Sequence, residues 1–134
     1  MLPDVHDLRD FAARYTAAWC SHNPACVAAF YSDQGALRVN DDPPAVGREA
    51  ITQVAHFFMS AFPDLCVVMD DLRVQDEPEY HWTLAGTNSG SGGTGNMVRI
   101  SGSEKWRFGA DGLIAFSQGH FDVADYRRQL KQGI

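Results

Sequence analysis

The sequence predicts an α+β domain, and three observations carry that prediction. Apolar residues recur at helical spacing in three segments between Asp4 and Phe62, the chain then alternates at period two, and Asp111-Gly112 joins the last two alternating segments as a hairpin turn. Helices and antiparallel strands segregated along the chain make α+β the expected class. With 134 residues, 45% of them hydrophobic, residues 1–134 form one domain around a single core.

The first helix runs from Asp4 to about Cys20, with Leu8, Phe11, Ala12, Tyr15, Ala18 and Trp19 on one face. Asn23-Pro24 reads as an N-cap followed by proline at the first helical position, opening a short second helix with Val27, Phe30 and Tyr31 inward. Gly35 to Asn40 is a brief strand, and Asp41-Asp42-Pro43-Pro44 must be a loop. The third helix starts near Gly47, places Ile51, Val54, Ala55, Phe58 and Phe62 on one face, and stops at Phe62-Pro63-Asp64.

From Leu65 the alternation is Leu65, Val67, Met69, after which the apolar phase slips to Leu72 and Val74. A β-bulge at Asp70-Asp71 accounts for the slip. Strands follow from Tyr80 to Asn88, Val98 to Gly109 and Leu113 to Phe121. The glycine- and serine-rich Ser89 to Asn96 segment, with no apolar residue, reads as a flexible hairpin loop. The tail from Asp125 to Leu130 adds one helical turn.

Charge and composition exclude several classes. Eleven Lys plus Arg against seventeen Asp plus Glu give a formal charge of −6, with no basic run, so nucleic acid and anionic membranes are poor partners. The first residues lack the basic flank and apolar stretch of a signal peptide, and no apolar run is long enough to span a membrane, so the expected compartment is the cytoplasm. Cys20, Cys26 and Cys66 form no CxxC pair and no disulfide framework. The five histidines, His6, His22, His56, His81 and His120, show no metal-ligand spacing, and neither a GxSxG elbow nor a phosphate-binding loop is present. No metal is therefore expected.

What remains is a set of polar residues beside aromatic ones. Asp122 ends the last strand; at the rim of an apolar cavity its pKa would rise into the range of a general acid or base, whereas spacing alone favours a cap for the turn that follows. Glu104 shares a strand face with Trp106 and Phe108, which suits either a pocket carboxyl or an ion pair with Arg38 or Arg99. His120 has the strand parity of Asp122 and could orient it, or be a satisfied structural histidine. Tyr15 presents a hydroxyl from the first helix, as a ligand contact or as core with one hydrogen bond.

Tyr15 with Trp19, Ala29-Phe30-Tyr31 with Asp33, Gly47-Arg48-Glu49-Ala50-Ile51 and Phe62-Pro63-Asp64 together resemble the SnoaL-like polyketide cyclase group of the nuclear transport factor 2-like superfamily. Trp82 to Thr87, Gly102 to Phe108, Asp111-Gly112-Leu113-Ile114, Phe121-Asp122 and Arg128-Gln129-Leu130 extend the resemblance over nearly the whole chain. It implies three N-terminal helices packed in a cone formed by a strongly curved antiparallel sheet, with a pocket inside. It further implies acid-base chemistry without metal or cofactor on a small apolar carbonyl compound, of the aldol cyclisation, isomerisation or hydration type. Asp122 falls on the cyclase acid-base position and Glu104 on the ketosteroid isomerase carboxyl. The isomerase base position falls on Arg38, which cannot abstract a proton. The implied pocket residues are Trp19, Arg38, Phe58, Phe62, Trp82 and Trp106, and the implied assembly is a homodimer paired through the open sheet face. Two alternatives stand beside the enzyme: a pocket that binds a small ligand without converting it, and a protein that docks partners on its outer sheet face.

Overall fold

The computed structural model describes residues 5–134, so Asp4, where the first helix was expected to begin, lies outside the described residues. The elements are α1 (Val5–Cys20), α2 (Pro24–Ala28), β1 (Tyr31–Val39), β2 (Ala45–Val46), α3 (Arg48–Ala61), β3 (Cys66–Arg73), β4 (Glu79–Thr87), β5 (Met97–Phe108), β6 (Ile114–Phe121) and α4 (Val123–Gln132). The strands form one curved sheet in the order β2-β1-β6-β5-β4-β3. The α+β class holds, with two differences. β1 runs parallel to β6 while every other pair is antiparallel, so the sheet is mixed. The helices number four among the described residues, because the tail forms a ten-residue helix and not a single turn.

Local chemistry explains the boundaries. The Asn23 side chain accepts from the Ala25 N–H and caps α2, with Pro24 at its first position as expected. That helix ends early: Tyr31, expected on its inner face, begins β1, and the strand is longer than the expected Gly35 to Asn40. β3 and β4 change register between Met69 and Asp71, which is the anticipated bulge. Leu72 is buried beyond it, while Val74 lies past the strand end and is exposed. On α3, Ile51 and Ala55 are buried as expected and Met59 joins them, whereas Val54 and Phe58 are only half-buried. Those two turn to the cavity described below.

The Ser89 to Asn96 loop is tied down. Buried Asn88 donates from Nδ2 to the Ala61 carbonyl and accepts at Oδ1 from the Thr94 N–H, and the Gly90 N–H reaches the same Ala61 carbonyl. Gly90 and Gly93 lie too close to backbone oxygens of Ser60 and Asn88 to tolerate a Cβ. α4 closes the far end of the sheet: Gln129 accepts from the Arg99 N–H at 2.6 Å and Asn96 donates to the Leu130 carbonyl at 2.9 Å. Tyr126 brings its ring against Phe62 and Phe121. The buried faces of α1, α2, α3 and the strands form one hydrophobic cluster. Among the described residues no helix is long and apolar enough to cross a membrane.

Candidate functional site

The concave side of the sheet encloses a cavity of about 60 Å³, walled by Trp19, Phe58, Tyr80, Trp82 and Phe121, with Glu104 as the sole carboxyl among its lining residues. Alternation along β4 aims Tyr80, Trp82 and Leu84 inward together, and alternation along β5 does the same for Ile100, Glu104 and Trp106. A shallower depression of about 340 Å³ adjoins it. The two share Leu37, Val39, Val54 and Phe58, so these four side chains separate an inner chamber from an outer one.

Glu104 is 7% exposed, and three donors converge on its Oε1: Tyr15 Oη at 2.9 Å, Trp106 Nε1 at 3.0 Å and Ser117 Oγ at 2.8 Å. Among the described residues no hydrogen bond reaches Oε2, and no Lys or Arg pairs with the carboxyl. Burial pushes its pKa up, and the donors Trp106, Ser117 and Tyr15, with the Tyr31 hydroxyl beside them, oppose that rise without cancelling it. Burial first, and the nearby Glu104 charge second, hold the Tyr15 and Tyr31 hydroxyls well above the ordinary tyrosine range, so both stay protonated. Their hydroxyls lie 2.9 Å apart and complete the polar cluster. Trp106 is stacked on Tyr80 at 5.0 Å, which fixes the indole that donates to Glu104.

The expected site residues divide into three groups. Trp19, Phe58 and Trp82 line the cavity, together with Glu104 and His120. Tyr15 and Trp106 are fully buried behind Glu104 and orient it without lining the space. Asp122, Arg38 and Phe62 stand elsewhere. Asp122 is exposed, and its Oδ1 accepts from the Asp125 N–H at 3.0 Å as the N-cap of α4, the role that spacing alone favoured. Arg38 is spent on the loop after β1, donating to the Asp42 and Asp41 carbonyls. Phe62 packs under α4. The ion-pair alternative for Glu104 does not form: Arg38 is engaged as above, and Arg99 is exposed. His120 lies at the cavity's edge as an exposed residue with no contact to Asp122 among the hydrogen bonds of the described residues.

Sequence reading missed Tyr80, Tyr31 and Ser117. Tyr80 has the strand parity of Trp82, which would have placed it inward. Tyr31 was hidden by its assignment to a helix, and Ser117 by a register shift between β5 and β6 that resets parity. Among the described residues no group of three or more His, Cys, Asp or Glu side chains is placed to hold a metal ion.

Solved structures share this architecture. TsrD from Streptomyces laurentii superposes with a TM-score of 0.81 at 20% identity, covering 96% of this chain and 97% of its own. A protein of ketosteroid isomerase-like fold from Catenulispora acidiphila, solved in complex with trimethylamine, gives a TM-score of 0.77 at 15% identity over 96% and 93%. A phenazine biosynthesis-related protein from Pseudomonas aeruginosa gives 0.74 at 12% identity over 100% and 89%. These likenesses establish the fold. No curated protein sequence is significantly similar to the chain. Residues 9–130 match the family described as SnoaL-like polyketide cyclase, and that span includes every element from most of α1 to most of α4. The chain belongs to the SnoaL-like polyketide cyclase family.

Proposed function

We propose that the inner cavity is a proton-transfer site for a small, largely apolar carbonyl compound, with Glu104 as its acid-base group. The observation that carries this reading is the Glu104 carboxyl itself: buried, held through Oε1 by three donors, with Oε2 unbonded in a cavity whose walls are aromatic and aliphatic. A carboxyl whose pKa is raised by burial is suited to take a proton from carbon near neutral pH and return it. Tyr15, Ser117 and Trp106 are positioning residues, since they act through Oε1. Asp122, on the family's acid-base position, caps α4 outside the cavity and receives no step in this reading. Cavities for drug-sized ligands run from roughly 300 to 1,000 Å³. A chamber of about 60 Å³ therefore favours a compound of a few heavy atoms.

The test is α-hydrogen exchange of cyclopentanone and cyclohexanone in D₂O, followed by proton NMR. The wild type is expected to accelerate exchange above buffer, with the rate rising with pH as Glu104 loses its proton. Glu104→Gln should lose about 100-fold or more of that acceleration. Exchange at the buffer rate in the wild type would sink the reading. A second reading, a site that binds without converting, is favoured by the Catenulispora neighbour that holds trimethylamine. Binding without accelerated exchange would establish it. The proposal includes pairing of two copies through the open sheet face, supported by exposed Val68 and Met97 on β3 and β5. Light scattering that finds only a 14.8-kDa particle would exclude it.

A further inference from the structure

The cavity wall contains one donor to which the protein gives no partner. Among the described residues, Trp82 Nε1 is the buried side-chain nitrogen or oxygen that makes no hydrogen bond, although Trp82 is only 9% exposed. Native interiors leave few such groups unmet. Among the described residues no acceptor lies within hydrogen-bonding geometry of it. Across the sheet stands Gly102, so close that a Cβ there would lie 2.6 Å from Trp82 Cζ2. Phe121 presents only a ring, in edge contact at 6.1 Å. Glu104 Oε1 already takes three donors.

The register sets how the two polar points relate. Trp82 pairs with Gly102 and Tyr80 pairs with Glu104, so Trp82 and Glu104 are diagonal neighbours on adjacent strands. Such neighbours stand about 7–8 Å apart at the backbone. Both side chains line the same small cavity. The indole that carries the unbonded N–H and the unbonded carboxyl oxygen therefore belong to two walls of one small cavity.

We propose that Trp82 Nε1–H is the specificity-determining donor of this site. It receives the carbonyl oxygen of a small uncharged ketone or lactone whose neighbouring C–H faces Glu104. The proposal rests on the proton-transfer reading above. In that step the C–H bond breaks, the proton goes to Glu104 Oε2, the electron pair of that bond forms C=C, and the carbonyl π pair moves onto the oxygen. The Trp82 N–H stays on that oxygen and bonds it more strongly as its charge grows. Return of the proton to carbon restores Glu104, and no other reactant is required. The donor end of an N–H repels a cation, and an apolar wall beside Glu104 disfavours an anion, so the ligand is uncharged.

The experiment uses the full-length ¹⁵N-labelled protein, in which the indole N–H signal of Trp82 is identified among Trp19, Trp82 and Trp106 by its loss in Trp82→Phe. Cyclopentanone, methylenecyclopentane and trimethylammonium chloride are titrated in turn. The ketone is expected to move the Trp82 signal downfield, and the hydrocarbon of the same shape is expected not to. Trp82→Phe should cut the preference for ketone over hydrocarbon about 10-fold. The proposal is overturned if Trp82 does not respond to bound ketone, which would leave the Phe121 ring as its partner. It is equally overturned if Trp82→Phe weakens both ligands alike, if trimethylammonium binds more tightly than the ketone, or if the ketone does not bind up to its solubility. The two readings fail separately. A Trp82 response that persists in Glu104→Gln, with no accelerated exchange in the wild type, removes the proton-transfer reading and keeps the donor; accelerated exchange with an unmoved Trp82 signal does the reverse.

Discussion

At the scale of single residues, Glu104 links function to stability. Burial raises its folded-state pKa above the unfolded value of about 4.3. Between those two values the folded protein holds more protons than the unfolded chain. The contribution to stability is thus fully present below the unfolded pKa and is lost as pH rises through the folded one. Tyr15, Tyr31 and Tyr80, which surround the carboxyl from α1, β1 and β4, stay protonated throughout and do not mask the trend. Glu104→Gln removes the titration while keeping an acceptor for the three donors. Urea denaturation at pH 5 and pH 8 should show the variant gaining on the wild type at the higher pH. A difference independent of pH would mean that Glu104 titrates normally. Asp122 gives the contrasting case. Asp122→Ala should cost about 1 kcal/mol through loss of the α4 cap and leave ketone exchange unchanged. A large loss of exchange at unchanged fold would restore Asp122 to the site.

At the scale of elements, Gly102 illustrates how a missing side chain shapes the cavity. A Cβ at this position would collide with the His120 carbonyl and stand 2.6 Å from Trp82 Cζ2. Gly102→Ala should therefore cost about 1–3 kcal/mol and drive the indole from its place. A Tm shift together with a lost ketone response would show it, and wild-type behaviour in both would contradict the close approach. Elements with a strong local signal were legible in the sequence. The Asn23-Pro24 cap, the buried stripe of α1, the Asp70-Asp71 bulge and the Asp111-Gly112 turn each depend on a few adjacent residues. What was not legible depends on distant partners. Tyr31 reads as helical until β6 is beside it, the glycine-rich loop reads as free until Asn88 finds the end of α3, and the tail becomes a helix because Gln129 and Tyr126 dock on the sheet. For the site, aromatic residues at the right parity were visible. The cap role of Asp122 was legible from its spacing, whereas the separation of Arg38 from Glu104 was not, because a loop and not strand parity decides where that side chain goes.

At the scale of the whole molecule, the cavity is walled by α1, α3 and every strand but β2. Leu37 and Val39 of β1 and Val54 and Phe58 of α3 form the partition between inner and outer chambers. Phe58 is half-buried, so truncating it is tolerable where a core phenylalanine would not be. Phe58→Ala should lower stability by about 2–3 kcal/mol and merge the chambers. The largest cycloalkanone that raises Tm should then exceed the wild-type limit by several ring carbons. An unchanged limit would show that size is set elsewhere.

The parallel pairing of β1 with β6 reaches beyond the site. Tyr31 meets Ile114 and Val39 meets Gly119, so the sheet joins the beginning of the chain to nearly its end. Ordering such distant segments carries a loop-closure cost that only the finished contact repays, and it slows folding. On a ribosome, β1 has only the two-residue β2 beside it until β6, far along the chain, is made. Until then the edge of β1 that receives β6 is unpaired, and a nascent chain cut short before β6 leaves that edge open.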